Sequence, residues 1–337
     1  MIYIIFDRPQ NNNDKQWLFD TLKEKTNFDV SAFYTPSFLL QLKIPAVSKI
    51  LCVLVAVYMS IKCIVVSHKN DTILCWSSMP GLLLNFISRL CGNNRRLILF
   101  NWLSPSPRLK SIHVYLCRKA VDNPQCILSF NSYHLPEEWK KRLNVNKLHY
   151  VIIPDVYNSN DEIILPCEKK DKYCFAGGYA YRNWKYLLNL AESLQEIKFV
   201  CCVSKRDFQN QIKNVPIPPN VRVLYDVVEK EYYLWMRNSS LVLLPLKTNK
   251  VAGLINIIKS AQYGIRCLFS YTKATEMYAP QDLNCFLPDD KVAACDMIQG
   301  ILNQPEETYK AQTQEFQKHI LSNFSPESVV EKLICVI

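Results

Sequence analysis

Short apolar runs rich in β-branched residues alternate along the whole chain with segments of helical period. In the first half the runs fall at 2–6, 29–34, 71–76, 96–101, 126–130 and 148–153, with helical segments at about 14–25, 46–66, 80–91, 108–120 and 134–143. The second half repeats the rhythm, with strands expected at 172–176, 197–203, 221–225, 241–246, 266–270 and 284–287 and helices between them. This alternation predicts an α/β fold, parallel sheets covered by helices on both faces, in two Rossmann-like halves. The stretch from Pro154 to Lys170 is polar, holds Asn158-Ser159-Asn160-Asp161-Glu162 and Pro166, and has the composition of a linker. The tail predicts helices over about 305–323 and 326–336, restarted at Ser325-Pro326 because proline fits a first helical turn.

A length of 337 residues exceeds what one core usually serves, and 49% apolar content is enough to fill two. The expected division is a domain at 1–153, a linker at 154–171, a second domain at 172–323 and a final helix at 324–337. The 14 cysteines are scattered, mostly inside apolar runs, and form no CxxC pair, so they read as reduced core residues; neither they nor the five histidines have metal-ligand spacing. Met1-Ile-Tyr-Ile-Ile-Phe-Asp7 lacks a basic region and a cleavage site, so it reads as a first strand, and a cytoplasmic location is expected.

Charge divides the chain. Residues 1–150 hold 19 Lys+Arg against 9 Asp+Glu, whereas residues 151–337 hold 21 of each. A one-sided excess suits a half that faces something anionic, here an anionic membrane surface. Between Lys49 and Lys62 lie twelve uncharged residues. At ~1.5 Å per residue they span about 18 Å, short of the ~30 Å of bilayer hydrocarbon, so no crossing is expected. The segment reads either as a buried helix or as one whose exposed flank dips into the headgroups, and the surrounding lysines favour the second. Nucleic acid is not an expected partner, for no recognition motif accompanies the charge.

The sharpest local signal is Lys172-Tyr-Cys-Phe-Ala-Gly177-Gly178-Tyr-Ala-Tyr-Arg182-Asn183-Trp184-Lys185, a strand that ends in two glycines before a helix start. Glycines let backbone amides approach an anion and the positive end of the helix favours it, while Arg182 and Lys185 add formal charge, a set that suits a diphosphate. A second strand, loop and helix start runs from Leu241 through Pro245, Lys247, Ala252, Gly253 and Leu254 to Asn256. In doubly wound sheets ligands lie at the carboxyl ends of strands, where both loops fall. Neither a GxGxxG nor a Walker sequence is present.

The order of these features resembles the nucleotide-binding domain of GT-B glycosyltransferases, especially the large retaining group with many bacterial capsule, exopolysaccharide and O-antigen enzymes. The matching residues are Gly177, Gly178, Arg182 and Lys185, the strand running into proline at Val242-Leu-Leu-Pro245, and Ala261-Gln-Tyr-Gly264 before a strand. The resemblance implies a nucleotide diphosphate sugar as donor substrate, no permanently bound cofactor and no required metal. It also implies a first domain for a saccharide or lipid-linked saccharide acceptor, a cleft between the domains, and C-terminal helices that return to the first domain.

One departure stands out. The group has two glutamates separated by seven residues, and the corresponding positions are Val251 and Lys259. Asn256, Glu229 or Glu276 are then the candidates for holding sugar and ribose hydroxyls, and an inactive relative that serves as a binding or scaffold protein is the alternative. A sugar-nucleotide epimerase ranks third. For an inverting reaction the expected base is Asp7 at the end of the first strand, with His68 and His134 behind it. Trp102–Arg108 and Cys75–Pro80 are candidate walls of the acceptor site.

Overall fold

Two six-stranded parallel sheets organise the computed structural model, which describes all residues except 11–15, 38–44, 93–94, 101, 104–110, 158–161, 166–172, 179–180, 213–214 and 248–250. In chain order the first half runs β1 (Ile2–Phe6), α1 (Gln16–Lys25), β2 (Val30–Tyr34), α2 (Pro45–Val66), β3 (Thr72–Cys75), α3 (Ser78–Leu90), β4 (Arg96–Leu99), α4 (Ser111–Val121), β5 (Cys126–Phe130), α5 (Leu135–Leu143) and β6 (Tyr150–Ile152). The second half runs β7 (Tyr173–Gly178), α6 (Trp184–Ser193), β8 (Lys198–Val203), α7 (Lys205–Gln211), β9 (Val221–Tyr225), α8 (Glu229–Arg237), β10 (Leu241–Leu244), α9 (Leu254–Gln262), β11 (Cys267–Ser270) and β12 (Phe286–Leu287). Three helices follow, α10 (Lys291–Asn303), α11 (Glu306–Asn323) and α12 (Pro326–Ile334). The Rossmann-like pattern expected from the sequence is therefore present in both halves.

The first compact unit comprises Met1–Pro154 and Pro326–Ile337. Its strand order is β2-β1-β3-β4-β5-β6, with Ile2 opposite both Val30 and Thr72. The central strand IYIIF is buried at every position because helices cover both faces, which explains its unbroken apolar run. Helices α2, α3, α4 and α5 lie side by side, while α1 packs against α12. That arrangement follows from right-handed crossovers: the step from β1 to β2 runs opposite to the later steps, so its helix lies on the other face.

The second unit comprises Asp155–Ser325, with strand order β12-β11-β10-β7-β8-β9. The polar stretch after Pro154 is docked rather than loose where it is described. Ile164 exchanges backbone and side-chain bonds with this unit, its N–H donating to the Gln262 carbonyl (2.7 Å) and its carbonyl accepting from Gln317 Nε2 (2.8 Å). Tyr157 N–H likewise donates to the Phe324 carbonyl (3.1 Å). One apolar layer, with Phe175, Val242, Ile257 and Phe316, fills one side of the sheet, and another, with Cys174, Leu187, Leu243 and Ile298, fills the other. The 13 described cysteines are free thiols, ten of them buried. Burial pushes these ten thiols up, that of Cys202 to about 12, so they pack as small hydrophobes.

Candidate functional site

In the second unit the chain steps outward from β7 to β8 and β9, then crosses back to place β10 on the other side of β7. The carboxyl ends of β7 and β10 thus flank the point where strand order reverses, the place where doubly wound sheets leave a crevice. Gly177 and Gly178 end β7, and the Pro245 loop follows β10. The two loops are tied together: Asn183 N–H donates to the Pro245 carbonyl (2.9 Å), Lys247 N–H to the Tyr181 carbonyl (3.0 Å), and Arg182 bridges Leu246.

Arg182 does not project from the helix start as its sequence position suggests. It precedes α6 and is only 4% exposed, with Nε donating to the Gly177 carbonyl at 2.8 Å. Its guanidinium lies against Gly178 and Gly253, where a Cβ on Gly178 would overlap it and one on Gly253 would sit 3.2 Å away. Gly178 (φ +137°) and Gly253 (φ +78°) also hold backbone conformations that L side chains rarely adopt. At Gly178 the turn and the close-packed cation both require glycine; at Gly253 the turn does, and a Cβ there would meet Leu244 at 2.7 Å before the cation. Burial holds the guanidinium below its ordinary pKa, opposed by Tyr232, Cys267 and Asp207 in that order.

The two helix starts differ. At α6 the Asn183 side chain accepts from Tyr186 N–H (3.3 Å) and Gln211 Oε1 accepts from Trp184 N–H (3.4 Å), so two of its first-turn donors are used inside the protein. The amide grip expected near residue 182 is largely pre-empted there. At α9 the N-cap is Gly253, which offers no side-chain cap, and the first-turn amide of Asn256 donates only to the Gly253 carbonyl (2.9 Å). The better anion-accepting terminus is therefore α9, beside the buried Arg182.

Of the other expected residues, Lys185 is exposed on α6, Ala252 is half-buried and Leu254 buried at the α9 start. Asn256 is buried and structural in its bonding, with Nδ2 donating to the Gly177 carbonyl (3.0 Å) and to Tyr232 Oη (2.7 Å). Glu229 is exposed in the first turn of α8, after β9. Glu276 is exposed after β11 and accepts from the Tyr271 hydroxyl (3.2 Å). Gly177, Gly178, Arg182, Gly253 and Asn256 thus meet in one cluster, whereas Glu229 and Glu276 follow different strands. Tyr232, which sequence reasoning missed, closes the cluster by lying over Gly177, and burial pushes its hydroxyl up. Its only signal was the helical spacing of Tyr232 and Met236, which marks a core face and says nothing of a partner.

Neither departure residue carries a carboxylate. Lys259 is buried in α9 with Nζ over the Tyr233 and Tyr263 rings (5.4 and 6.0 Å), and desolvation lowers its ammonium to about 8. In the first unit Asp7 is exposed just beyond β1, and His134 follows β5, its Nδ1 paired with Ser132 Oγ (2.8 Å). His68 precedes β3 and so lies at the amino end of that strand, away from the loops that follow the strands. Trp76 follows β3 directly, within an aromatic cluster with Phe6, Trp17 and Phe100. Of the Trp102–Arg108 loop, Ser104 to Arg108 lies outside the described residues.

No protein-family model matches the sequence, and no curated protein matches it significantly. Solved structures do. The chain is similar to Anabaena Alr3699/HepE in complex with UDP and glucose (11% identity, TM-score 0.66) and to trehalose-6-phosphate synthase OtsA (13% identity, TM-score 0.67), each alignment covering 99% of this chain and 98% of the other. The GtfA/B complex matches over 85% of this chain and 60% of its own (9% identity, TM-score 0.57). These likenesses show the fold: the chain has the two-unit GT-B architecture.

Proposed function

We propose that the protein is a glycosyltransferase that moves a sugar from a nucleotide diphosphate donor in the second unit to a saccharide or lipid-linked saccharide held by the first. The observation that carries this reading is the buried Arg182 between two glycine turns at the sheet's reversal point, next to the uncapped start of α9. A desolvated guanidinium gains most from an anion, and a departing diphosphate develops its negative charge where that cation and those amides converge. The arrangement supplies charge stabilisation without calling for a metal. The similar structures that hold UDP, glucose or, for the E. coli trehalose-6-phosphate protein, UDP-2-fluoro glucose support a uridine nucleotide as the first donor to try. In an inverting reaction Asp7 is the proposed base. The basic first unit supports placement on the inner face of the plasma membrane, in synthesis of capsule, exopolysaccharide or O-antigen.

Calorimetry and thermal shift with a panel of nucleotide sugars test the reading. It expects at least one donor to bind and to be consumed when acceptor is supplied; no binding by any donor refutes it. Val251 and the buried Lys259, where the resembling group carries glutamates, favour a second reading, a protein that binds nucleotide without turnover. Nucleotide affinity with neither transfer nor donor hydrolysis would select that one.

A further inference from the structure

Helix α2 packs in the reverse of the usual sense. Its buried side consists of Ala56, Met59, Ser60 and Cys63, while Ile50, Leu54, Tyr58, Ile61 and Val65 form one outward stripe of large apolar side chains. Leu54 is 57% and Val65 77% exposed. A helix on a globular unit ordinarily buries such residues and exposes polar ones, and a contiguous apolar surface marks an interaction site. The orientation is fixed by the packing. Ser60 Oγ donates to the Ala56 carbonyl (2.7 Å), and buried Arg95 donates to the Ile64 (2.7 Å) and Ser67 (2.5 Å) carbonyls, tying down the carboxyl end of the helix.

The surface continues beyond α2. Neighbouring α3 exposes Leu90, and α4 exposes Ile112 and Tyr115. None of the three helices contains an acidic residue, and residues 30–121 hold 11 Lys+Arg against a single acid, Asp71. Lys62 flanks the stripe, and Arg89 and Arg118 are exposed on α3 and α4. We infer that this acid-free surface of α2 to α4 is a docking surface for an anionic lipid bilayer, with the α2 stripe lying flat in the boundary between headgroups and acyl chains and the cations meeting lipid phosphates.

Charge decides the occupant. A second copy of the chain, paired through the same face, would set these cations against their own equivalents, whereas anionic headgroups complement them. Among the described residues no helix is long and apolar enough to cross a membrane, which fits a helix that lies in the surface. The inference deepens the membrane-facing part of the proposed function and rests on it only for the choice of a cellular membrane; the packing of α2 is independent of donor chemistry.

The test uses the full chain, sedimented with phosphatidylcholine vesicles with and without phosphatidylglycerol, and nucleotide-sugar binding is measured on the same preparations. Wild type is expected to sediment with the anionic vesicles and to be released by salt. Leu54→Asp/Ile61→Asp should lower that binding at least ~tenfold with nucleotide affinity unchanged, and Tyr58→Trp should shift its emission to the blue on vesicles. If the double variant fails to fold, Lys62→Glu and Tyr58→Trp carry the test, for both positions are exposed. Wild type left in the supernatant, variants that bind as wild type does, or a dimer that Ile61→Asp dissolves would each overturn the inference. Loss of nucleotide binding with vesicle binding intact would overturn the transferase reading instead.

Discussion

Both units are six-stranded parallel sheets, but the chain places one strand (β2) beyond β1 in the first and two (β8 and β9) beyond β7 in the second before reversing, and they differ in how the first strand ends. In the first unit β1 runs into Asp7, Arg8 and Pro9, and the strand ends beside it are filled by aromatic side chains, with Trp76 4.9 Å from Phe100 and Phe6 5.2 Å from Tyr34 between ring centres. In the second, β7 runs into two glycines, and the space a side chain would fill holds the Arg182 guanidinium and the Tyr232 ring. Charge is distributed the other way: the excess cations of the chain lie in residues 1–150, and residues 151–337 balance at 21 of each sign. Net charge therefore does not identify the small anion site. A single cation, desolvated and set against an uncapped helix, is worth more to a diphosphate than many solvated lysines.

For an inverting transfer, the largest effect that separates the units is expected at Asp7; a retaining transfer needs no such base and leaves it small. Asp7→Asn should cut transfer by ~100-fold or more while donor affinity by calorimetry stays within about twofold, the range for losing a general base. An equal loss of donor affinity would place Asp7 outside that role. Arg182→Ala comes next, with donor affinity down ~100-fold, about 3 kcal/mol for a buried charge-assisted contact, against less than ~threefold for Lys185→Ala on the solvated helix face. Equal effects would return the site to the α6 helix start.

Gly178→Val should lower unfolding stability by about 2–3 kcal/mol in urea melts, since the backbone at φ +137° and the guanidinium both oppose a Cβ. Asn256→Ala removes two hydrogen bonds around Gly177 and should cost about 1–2 kcal/mol, read the same way.

The smallest effect depends on pH. The Lys259 ammonium titrates near 8 in the folded chain and near 10.5 when unfolded, so below pH 8 both states are protonated and the desolvation penalty is fully present. Between those values the unfolded chain holds more proton, and stability contributed at this site rises with pH. Lys259→Met should therefore stabilise the protein by about 1–2 kcal/mol at pH 7, with the gain shrinking as pH climbs from about 8 toward 10.5. A gain that is flat across this range would contradict the assignment.

The strands and helices were legible in the sequence because parallel strands buried on both faces leave unbroken apolar runs, as in β1 and in β8, whose Phe199 to Val203 are all buried. The two glycines were legible as a site only together with Arg182 and Lys185 after them, since a strand end with Gly-Gly alone is also an ordinary turn into a helix. Where Arg182 points was not. Its burial depends on Gly178 and Gly253 both leaving room beside its guanidinium, and no local pattern brings together residues 75 positions apart in the sequence. The choice between α6 and α9 as the open helix start was hidden similarly, because Gln211 reaches Trp184 from another helix. Asn256, a plausible ligand of hydroxyls by type, is already engaged by Gly177 and Tyr232.

Amide hydrogen exchange with and without a saturating uridine nucleotide diphosphate tests the central claim most directly, for it reports which backbone donors the ligand engages. The account predicts new protection at 253–255, where α9 begins, with 177–182 protected alongside and the first turn of α6 nearly unchanged. Protection confined to 184–187, or none in either segment while nucleotide is demonstrably bound, would contradict it.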